Sequence, residues 1–186
     1  MNASARGRAR LFAALDLPAP VRAELAEWGE RAFASCGWLR LLAPEHLHVT
    51  LCFLGWRAEE EIDAIGALTI AALREPVAGL ALGPAVWLPR RRPRVLAVEL
   101  VDSESALATL QRGLSDVLAQ RAGFEPESRP FLPHVTVARV RERPRGVDDR
   151  PVPPRAIVFR GTEVGLYRSH LGPRGARYER LVQATL

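Results

Sequence analysis

The chain has 186 residues, 48% of them hydrophobic, which predicts one globular domain with ample apolar surface to bury. No apolar run approaches the roughly 20 residues needed to cross a bilayer, and the small, basic N-terminus lacks the apolar segment typical of a secretory signal. These features argue against a membrane or secreted protein. The two cysteines, Cys36 and Cys52, have apolar neighbours and are typical of reduced thiols in the cytoplasm.

The net charge is +5 and the sequence pI is about 10.4, values that suit a polyanionic partner such as nucleic acid. Every basic residue is an arginine, and lysine is absent from the chain. Such a bias is typical of a genome rich in G and C, in which arginine occupies positions that lysine would otherwise fill. The basic charge therefore permits an RNA partner without indicating one.

The first half of the chain alternates apolar runs with amphipathic segments. Residues 1–9 are predicted to be a flexible arm before a single domain at 10–186. Prolines end the first apolar run, and Gly55 ends the third. The predicted strands are 10–17, 38–42 and 46–54, and the predicted helices are 21–33 and 59–73.

The second half places one long helix among short strands. The helix is predicted at 104–122, with Asp102 or Ser103 as its N-terminal cap, and a loop rich in proline and arginine is predicted at 141–155. Several neighbouring strands are joined by short turns, which favours an α+β fold with mixed or antiparallel sheets. The predicted strands are 80–82, 85–88, 95–100, 134–140, 156–159, 163–167 and 178–184.

One short motif occurs twice. His48-Val49-Thr50-Leu51 returns as His134-Val135-Thr136-Val137, 86 positions later, each time inside a predicted strand. Side chains alternate along a strand, so the histidine and threonine of each copy share one face, and the apolar residues anchor the other face in a core. The two copies predict two related lobes whose polar faces line one cleft.

Two imidazoles and two hydroxyls at one cleft suit acid-base chemistry at a phosphate. Phosphoryl transfer needs a base at the entering oxygen and an acid at the leaving oxygen, and histidine serves in either role near neutral pH. Threonine hydroxyls donate to the non-bridging oxygens. A single His-x-Thr is more typical of a strand-edge histidine. The pair indicates His48 and His134 as catalytic residues and Thr50 and Thr136 as phosphate-binding residues.

With their surroundings, the two motifs resemble those of the two-histidine (2H) phosphoesterases, in particular the bacterial and archaeal RNA 2′,3′-cyclic phosphodiesterases, also called 2′-5′ RNA ligases. The similarity extends from about Arg10 to Leu181. It covers the opening strand at 10–18, the motif strands at 46–55 and 129–139, and C-terminal segments at 166–169 and 172–178. Leu132 is a departure, because the family often has a basic or polar residue at that position.

The resemblance implies a bilobal α+β fold, in which two mainly antiparallel sheets are related by a pseudo-twofold around a central cleft, with the helices on the outside. It implies hydrolysis of an RNA or nucleotide 2′,3′-cyclic phosphate to a 2′-phosphate, without metal or cofactor, together with reversible 2′-5′ RNA ligation. By the same resemblance His134 activates water, His48 protonates O3′, and Arg139 is a weaker substrate contact. A monomer without a membrane partner is expected.

Two other functions stay open on the sequence: a 2′-5′ oligonucleotide phosphodiesterase with the same motifs, and a non-catalytic RNA-binding module. A metal hydrolase is disfavoured, because the pair His46 and His48 has no further ligands at metal-site spacing. In an unbroken strand Arg139 would point away from His134, since an odd number of positions separates them. The role of Arg139 therefore rests on the resemblance and on a bend or strand end.

Other residues are expected to be structural. Cys52 has the parity of His48 in its strand, but a small buried residue is its expected role. His170 is expected in a surface loop, and the arginines at 90–92 in a solvated one. Core or rim packing is expected, ahead of base stacking, for three aromatic residues, Phe12, Trp56 and Tyr167.

Overall fold

The computed structural model describes residues 7–73, 75–142, 151–172 and 175–186. These residues form nine β-strands and three α-helices, with two short 3-10 helices at Pro44–His46 and Glu59–Glu61. The strands are β1 Arg8–Asp16, β2 Leu39–Leu41, β3 His48–Ala58, β4 Val77–Leu88, β5 Val95–Asp102, β6 His134–Val140, β7 Val158–Gly161, β8 Glu163–Gly172 and β9 Gly175–Thr185. The helices are α1 Ala19–Phe33, α2 Ile62–Ala71 and α3 Ala106–Ala122.

These strands form one antiparallel sheet in the order β7-β4-β5-β6-β3-β1-β8-β9, and β2 pairs with β6 beside this path. From the central pair β3 and β6, the strands on the two sides of the sheet follow the same arrangement. Strands β3, β1, β8 and β9 on one side correspond to β6, β5, β4 and β7 on the other. A helix links the two inner strands of each half, α1 between β1 and β3, and α3 between β5 and β6. The sheet therefore consists of two lobes related by a pseudo-twofold.

The predicted α+β class with mainly antiparallel strands is confirmed. The two predicted sheets are joined into one, because β3 and β6 pair at the centre, where Val49 lies opposite Val135. Both valines are completely buried. The junction thus lies within a hydrophobic core that the two lobes share.

The helices and the central strands build this core. In α3 the completely buried residues Leu107, Leu114 and Leu118 recur at the spacing of one helical face. Strand β1 is buried on both sides, since Leu11 enters the core while Phe12, also buried, lies on the opposite face. Within the described part of the chain, no helix is long and apolar enough to cross a membrane.

Two predicted elements differ in detail, each for a local reason. The predicted strands 80–82 and 85–88 are one strand, β4, with a bulge between Leu82 and Ala85. Helix α3 begins at Ala106. Of the two expected caps it is Asp102 whose carboxylate accepts a hydrogen bond from the helix, from the N–H of Ala108 at 2.9 Å.

The ends of two further predicted segments also differ. Strand β1 begins at Arg8, within the predicted arm, and residues 1–6 of that arm lie outside the described residues. Residues 143–150 of the loop predicted at 141–155 lie outside them as well. The strand predicted at 156–159 is observed as β7, two residues later.

The junction of the lobes yields a prediction about stability. Val135→Ala should lower the free energy of unfolding by about 2 kcal/mol, because it removes two methyl groups from a completely buried site and leaves a cavity. Urea denaturation followed by circular dichroism measures the change. Val158→Ala is the matched control, since Val158 is 76% exposed in β7 and should cost less than about 0.5 kcal/mol. Equal losses in the two variants would contradict a core at this junction.

Candidate active site

The four motif side chains meet where the lobes join. Strand β3 begins at His48 and β6 at His134, and the valine after each histidine is buried and paired with the other. The same antiparallel register, extended by one residue in each direction, sets His48 opposite Thr136 and Thr50 opposite His134. All four are half-buried and lie on the face opposite the valines. Each lobe thus contributes one histidine and one threonine to the same face of the sheet at the junction, here called the cleft.

Each histidine ring is held by main-chain oxygen. The Nδ1 atom of His48 is 2.9 Å from the carbonyl oxygen of His46, and Nδ1 of His134 is 2.8 Å from the carbonyl oxygen of Leu132. A carbonyl oxygen only accepts, so Nδ1 carries the proton in both rings and Nε2 is left available to accept or donate one. The contact uses the main chain two residues before each histidine, which explains why a leucine at position 132 is compatible with the motif.

Aromatic rings enclose His48. The ring of Phe12 stacks on it at a centroid distance of 4.9 Å, and Tyr178 meets it edge-on at 5.2 Å. Burial lowers the pKa of His48 from 6.5 to about 4, and the electrostatic influence of His134 and Arg139 acts in the same direction. His48 is therefore neutral near pH 7 when no anion is bound.

A bulge in β6 redirects Arg139. Thr136 and Ala138 pair with consecutive residues of β5, so Val137 is an extra residue in the strand. The bulge reverses the alternation beyond it, and Arg139, which would point away in an unbroken strand, lies on the cleft side instead. Its guanidinium Nη2 donates to the hydroxyl of Tyr178 at 3.3 Å. The bulge is the bend that the sequence prediction required for Arg139 to face the cleft.

The first motif contains the equivalent bulge. Thr50 and Cys52 pair with consecutive residues of β1, so Leu51 is the extra residue, at the same motif position as Val137. Cys52 then turns into the core, where burial raises the pKa of its thiol to about 12. The expected structural role of Cys52 is confirmed, and a thiol with this pKa is no nucleophile near neutral pH.

Sequence reasoning missed two contributors to the site. Tyr178 meets the rings of both His46 and His48 edge-on, at 5.1 and 5.2 Å, and it bonds Arg139. Phe12 is buried as expected, but its ring also stacks on His48 and shields it from water, a contact that sequence reasoning did not predict. The family resemblance covered Tyr178 at the end of segment 172–178 but gave it no role, since β9 reaches the site only through its pairing with β8 and that of β8 with β1.

A carboxylate lies across the strand from each histidine. Asp16 in β1 is the Cα partner of His48, and Glu99 in β5 is that of His134. The hydroxyl of Tyr167 donates to Oδ1 of Asp16 at 2.5 Å, and burial raises the pKa of both groups. Because the Nδ1 partner is a carbonyl in each ring, neither acid orients an imidazole.

The alternatives considered from the sequence, a metal site and a loop position for His170, do not match the described part of the structure. Over the described ranges, no three His, Cys, Asp or Glu side chains form a group that could hold a metal ion. His170 lies in β8 and not in the expected loop, and its Nε2 atom is 2.7 Å from Oε2 of Glu179.

The cleft thus combines two imidazoles with Nε2 available for proton exchange, two hydroxyls and one guanidinium. Groups of these kinds can serve as a general acid, a general base and hydrogen-bond donors to the oxygens of a phosphate. Together with the pseudo-twofold sheet, these side chains define a two-histidine phosphoesterase.

Comparison with known proteins agrees with this class. The chain belongs to the 2′-5′ RNA ligase superfamily, whose family profile matches residues 17–172. A protein of Thermus thermophilus named RNA 2′,3′-cyclic phosphodiesterase is 34% identical over 95% of this chain and 90% of its own length. One of the same name from Escherichia coli is 35% identical over 70% of this chain and 71% of its own length.

Solved structures show the same fold. A crystal structure of a Thermus thermophilus protein superposes with a TM-score of 0.80, at 29% identity, over 95% of this chain and 97% of that one. Escherichia coli LigT in complex with 3′-AMP has a TM-score of 0.77, at 30% identity, over 96% of this chain and 98% of that one.

The environment of His48 predicts its titration. Its ring should titrate near pH 4, measured by NMR of labelled histidine, and Phe12→Ala should raise this pKa towards 6.5 because water then reaches the ring. The folded state binds fewer protons than the unfolded one between pH 6.5 and about 4, so the free energy of unfolding should fall as pH drops through that window.

Phe33→Ala is the control for this titration, since Phe33 packs on Trp28 and Trp87, away from His48. It should leave the His48 pKa unchanged. The assignment fails if wild-type His48 titrates near its ordinary value, or if Phe12→Ala and Phe33→Ala move it equally.

Proposed function

We propose that this chain hydrolyses the 2′,3′-cyclic phosphate of an RNA end or nucleotide to a 2′-phosphomonoester. The observation that carries the proposal is the pair of histidines, one from each lobe, with Nδ1 held by a carbonyl and Nε2 left for proton exchange. The names of the relatives, and the 3′-AMP bound to the similar LigT structure, support a nucleotide substrate. A pure RNA-binding module would have no need of two matched proton-exchanging groups.

In the proposed reaction Nε2 of His134 takes a proton from water as the water oxygen forms a bond to phosphorus. The bond from phosphorus to O3′ breaks, and the protonated Nε2 of His48 donates its proton to O3′. One histidine gains the proton that the other loses, so protons balance. Opening the five-membered ring releases strain, which lowers the demand on the protein. In 2′-5′ ligation an RNA 5′-hydroxyl takes the place of water in the same step.

The hydroxyls of Thr50 and Thr136 are proposed to donate hydrogen bonds to the non-bridging oxygens. The strand register supports this role, because each threonine faces the histidine of the other lobe across the junction. Arg139, on the cleft side of its bulged strand, is proposed to balance the charge that builds up on the phosphate.

The low pKa of His48 makes its acid role depend on the substrate. His48 is neutral in the free protein, whereas the acid must be protonated. A phosphate anion beside a ring that is shielded from water stabilises the imidazolium form strongly, because the interaction is only weakly screened there. Substrate binding is therefore proposed to raise the pKa of His48 and to recruit the proton that the leaving oxygen needs.

We also propose that the protein acts as a monomer and is located in the cytoplasm. All the acid-base groups come from one chain, which supports action as a monomer. The two free thiols, Cys36 and Cys52, support a reducing compartment such as the cytoplasm.

Removal of either histidine tests the mechanism. His48→Ala and His134→Ala should each lower kcat/KM on a 2′,3′-cyclic nucleotide by at least about 100-fold, the usual cost of losing a general acid or base. Thr50→Ala and Thr136→Ala should cost less, because each removes a hydrogen bond and leaves both proton transfers intact. Near wild-type turnover by either histidine variant, with an unchanged circular dichroism spectrum, would exclude the two-histidine mechanism.

A substrate with sulfur in place of O3′ separates the two roles. A thiolate leaves without being protonated, so this substrate should restore most of the turnover of His48→Ala and little of that of His134→Ala. Restoration of His134→Ala in place of His48→Ala would reverse the assignment of acid and base.

Chelation tests metal independence. Activity should survive exhaustive EDTA treatment, because imidazole, hydroxyl and guanidinium groups perform the tasks that a cation performs in metal phosphoesterases. Chelator-treated protein is incubated with a 2′,3′-cyclic nucleotide, and phosphorus NMR identifies the product isomer. Loss of turnover that one divalent cation restores would make His46 and His48 metal ligands. A 3′-phosphate product would contradict O3′ as the leaving oxygen.

A further inference from the structure

An aromatic and cationic surface continues from the wall of His48 along the same face of the sheet. Phe53 in β3 lies opposite Phe12 in β1, and farther along the same strand pair Trp56 lies opposite Arg10. Directly opposed residues of an antiparallel pair point to the same face. Arg10, Phe53 and Trp56, here called the stacking surface, therefore extend outward from the ring that stacks on His48.

A second bulge in β3 makes this surface continuous. Phe53 and Trp56 are three residues apart, and in a regular strand they would point to opposite faces. The pairing with β1 shifts between Gly55 and Phe53, so Leu54 is an extra residue, and its side chain is buried in the core. Both aromatic rings consequently lie on the cleft side, with exposed fractions of 40% for Phe53 and 46% for Trp56.

The charge of this surface suits an anion. The guanidinium carbon of Arg10 lies 4.4 Å from the centre of the Phe53 ring, and its Nη1 atom donates to the hydroxyl of Ser169 at 3.3 Å. Arg8 donates to the carbonyl oxygen of Trp56 at 2.8 Å. Within the described residues neither arginine forms an ion pair with a carboxylate. The charge of Arg8 also acts on Glu61, so Arg10 is the charge more available to phosphates.

We propose that the stacking surface binds single-stranded RNA, namely the nucleotides on the 5′ side of the one that carries the cyclic phosphate. Guanidinium planes and aromatic rings both stack on bases without reading their sequence, and the arginines attract the phosphates between them. Single exposed apolar residues are ordinary on protein surfaces. Here two exposed rings and two arginines adjoin the candidate cleft on one face. The inference rests on the proposed function and extends it from a terminal nucleotide to an RNA strand.

Two substrates test the proposal: a 2′,3′-cyclic mononucleotide and a pentanucleotide that ends in the same cyclic nucleotide. Phe53→Ala and Trp56→Ala should each lower kcat/KM on the pentanucleotide on the order of tenfold, as expected for loss of one stacked base. Each should leave kcat/KM on the mononucleotide within twofold of the wild-type value. Arg10→Gln should also lower the pentanucleotide value and weaken its dependence on salt. Phe53→Tyr should retain the pentanucleotide value, because the ring remains.

Ile70→Ala is the matched control, since Ile70 is 43% exposed on helix α2 and is no part of the stacking surface. This variant should leave kcat/KM unchanged on both substrates. Equal losses on both substrates, or no loss on the pentanucleotide, would overturn the proposal.

Binding separates this inference from the proposed function. If wild-type protein hydrolyses neither substrate, the proposed function fails, and anisotropy of a labelled pentanucleotide that ends in a 2′-phosphate still tests the surface. Weaker binding by Phe53→Ala and Trp56→Ala than by Ile70→Ala would then support the stacking surface, and equal binding by all three would refute it.

Discussion

The pairing of Val49 with Val135 is the contact on which the candidate site depends. Both side chains enter a core shared by the lobes, which forces the histidines before them and the threonines after them onto the other face. Each lobe alone has one imidazole and one hydroxyl, too few to serve the entering and the leaving oxygen of a single phosphate. Apolar burial at this pairing therefore stabilises the fold and assembles the chemistry at the same time.

Bulges in the strands change which side chains face the cleft. The extra residues Leu51 and Val137 follow the two threonines, and each keeps an apolar side chain in the core while changing the direction of what comes next. In one lobe the change brings Arg139 to the cleft. A third bulge, at Leu54, brings Trp56 to the face of Phe53. The two lobes share a plan and differ after the motif: one places Arg139 on the cleft side, and the other places the rings of Phe53 and Trp56 there.

The aromatic wall of His48 has two opposed effects. By excluding water it disfavours the charged ring, so the ring in the free protein lacks the proton that the proposed acid role needs. The same exclusion of water strengthens the attraction between the ring and a phosphate anion. We propose that the proton affinity of His48 is in this way coupled to occupancy of the cleft, whereas main-chain oxygens hold the proton on Nδ1 of both histidines.

The duplicated motif, the strand that carries each copy and the shared face of histidine and threonine can be read from the chain alone, because alternation and repetition are local properties. Only the tertiary structure decides the direction of Arg139, since a bulge exists by reference to the neighbouring strand. It likewise decides the pKa of His48, because the shielding rings of Phe12 and Tyr178 belong to strands far apart in the chain. Desolvation of a titratable side chain depends on the residues that pack around it, and the spacing of residues in the sequence does not show which residues those are.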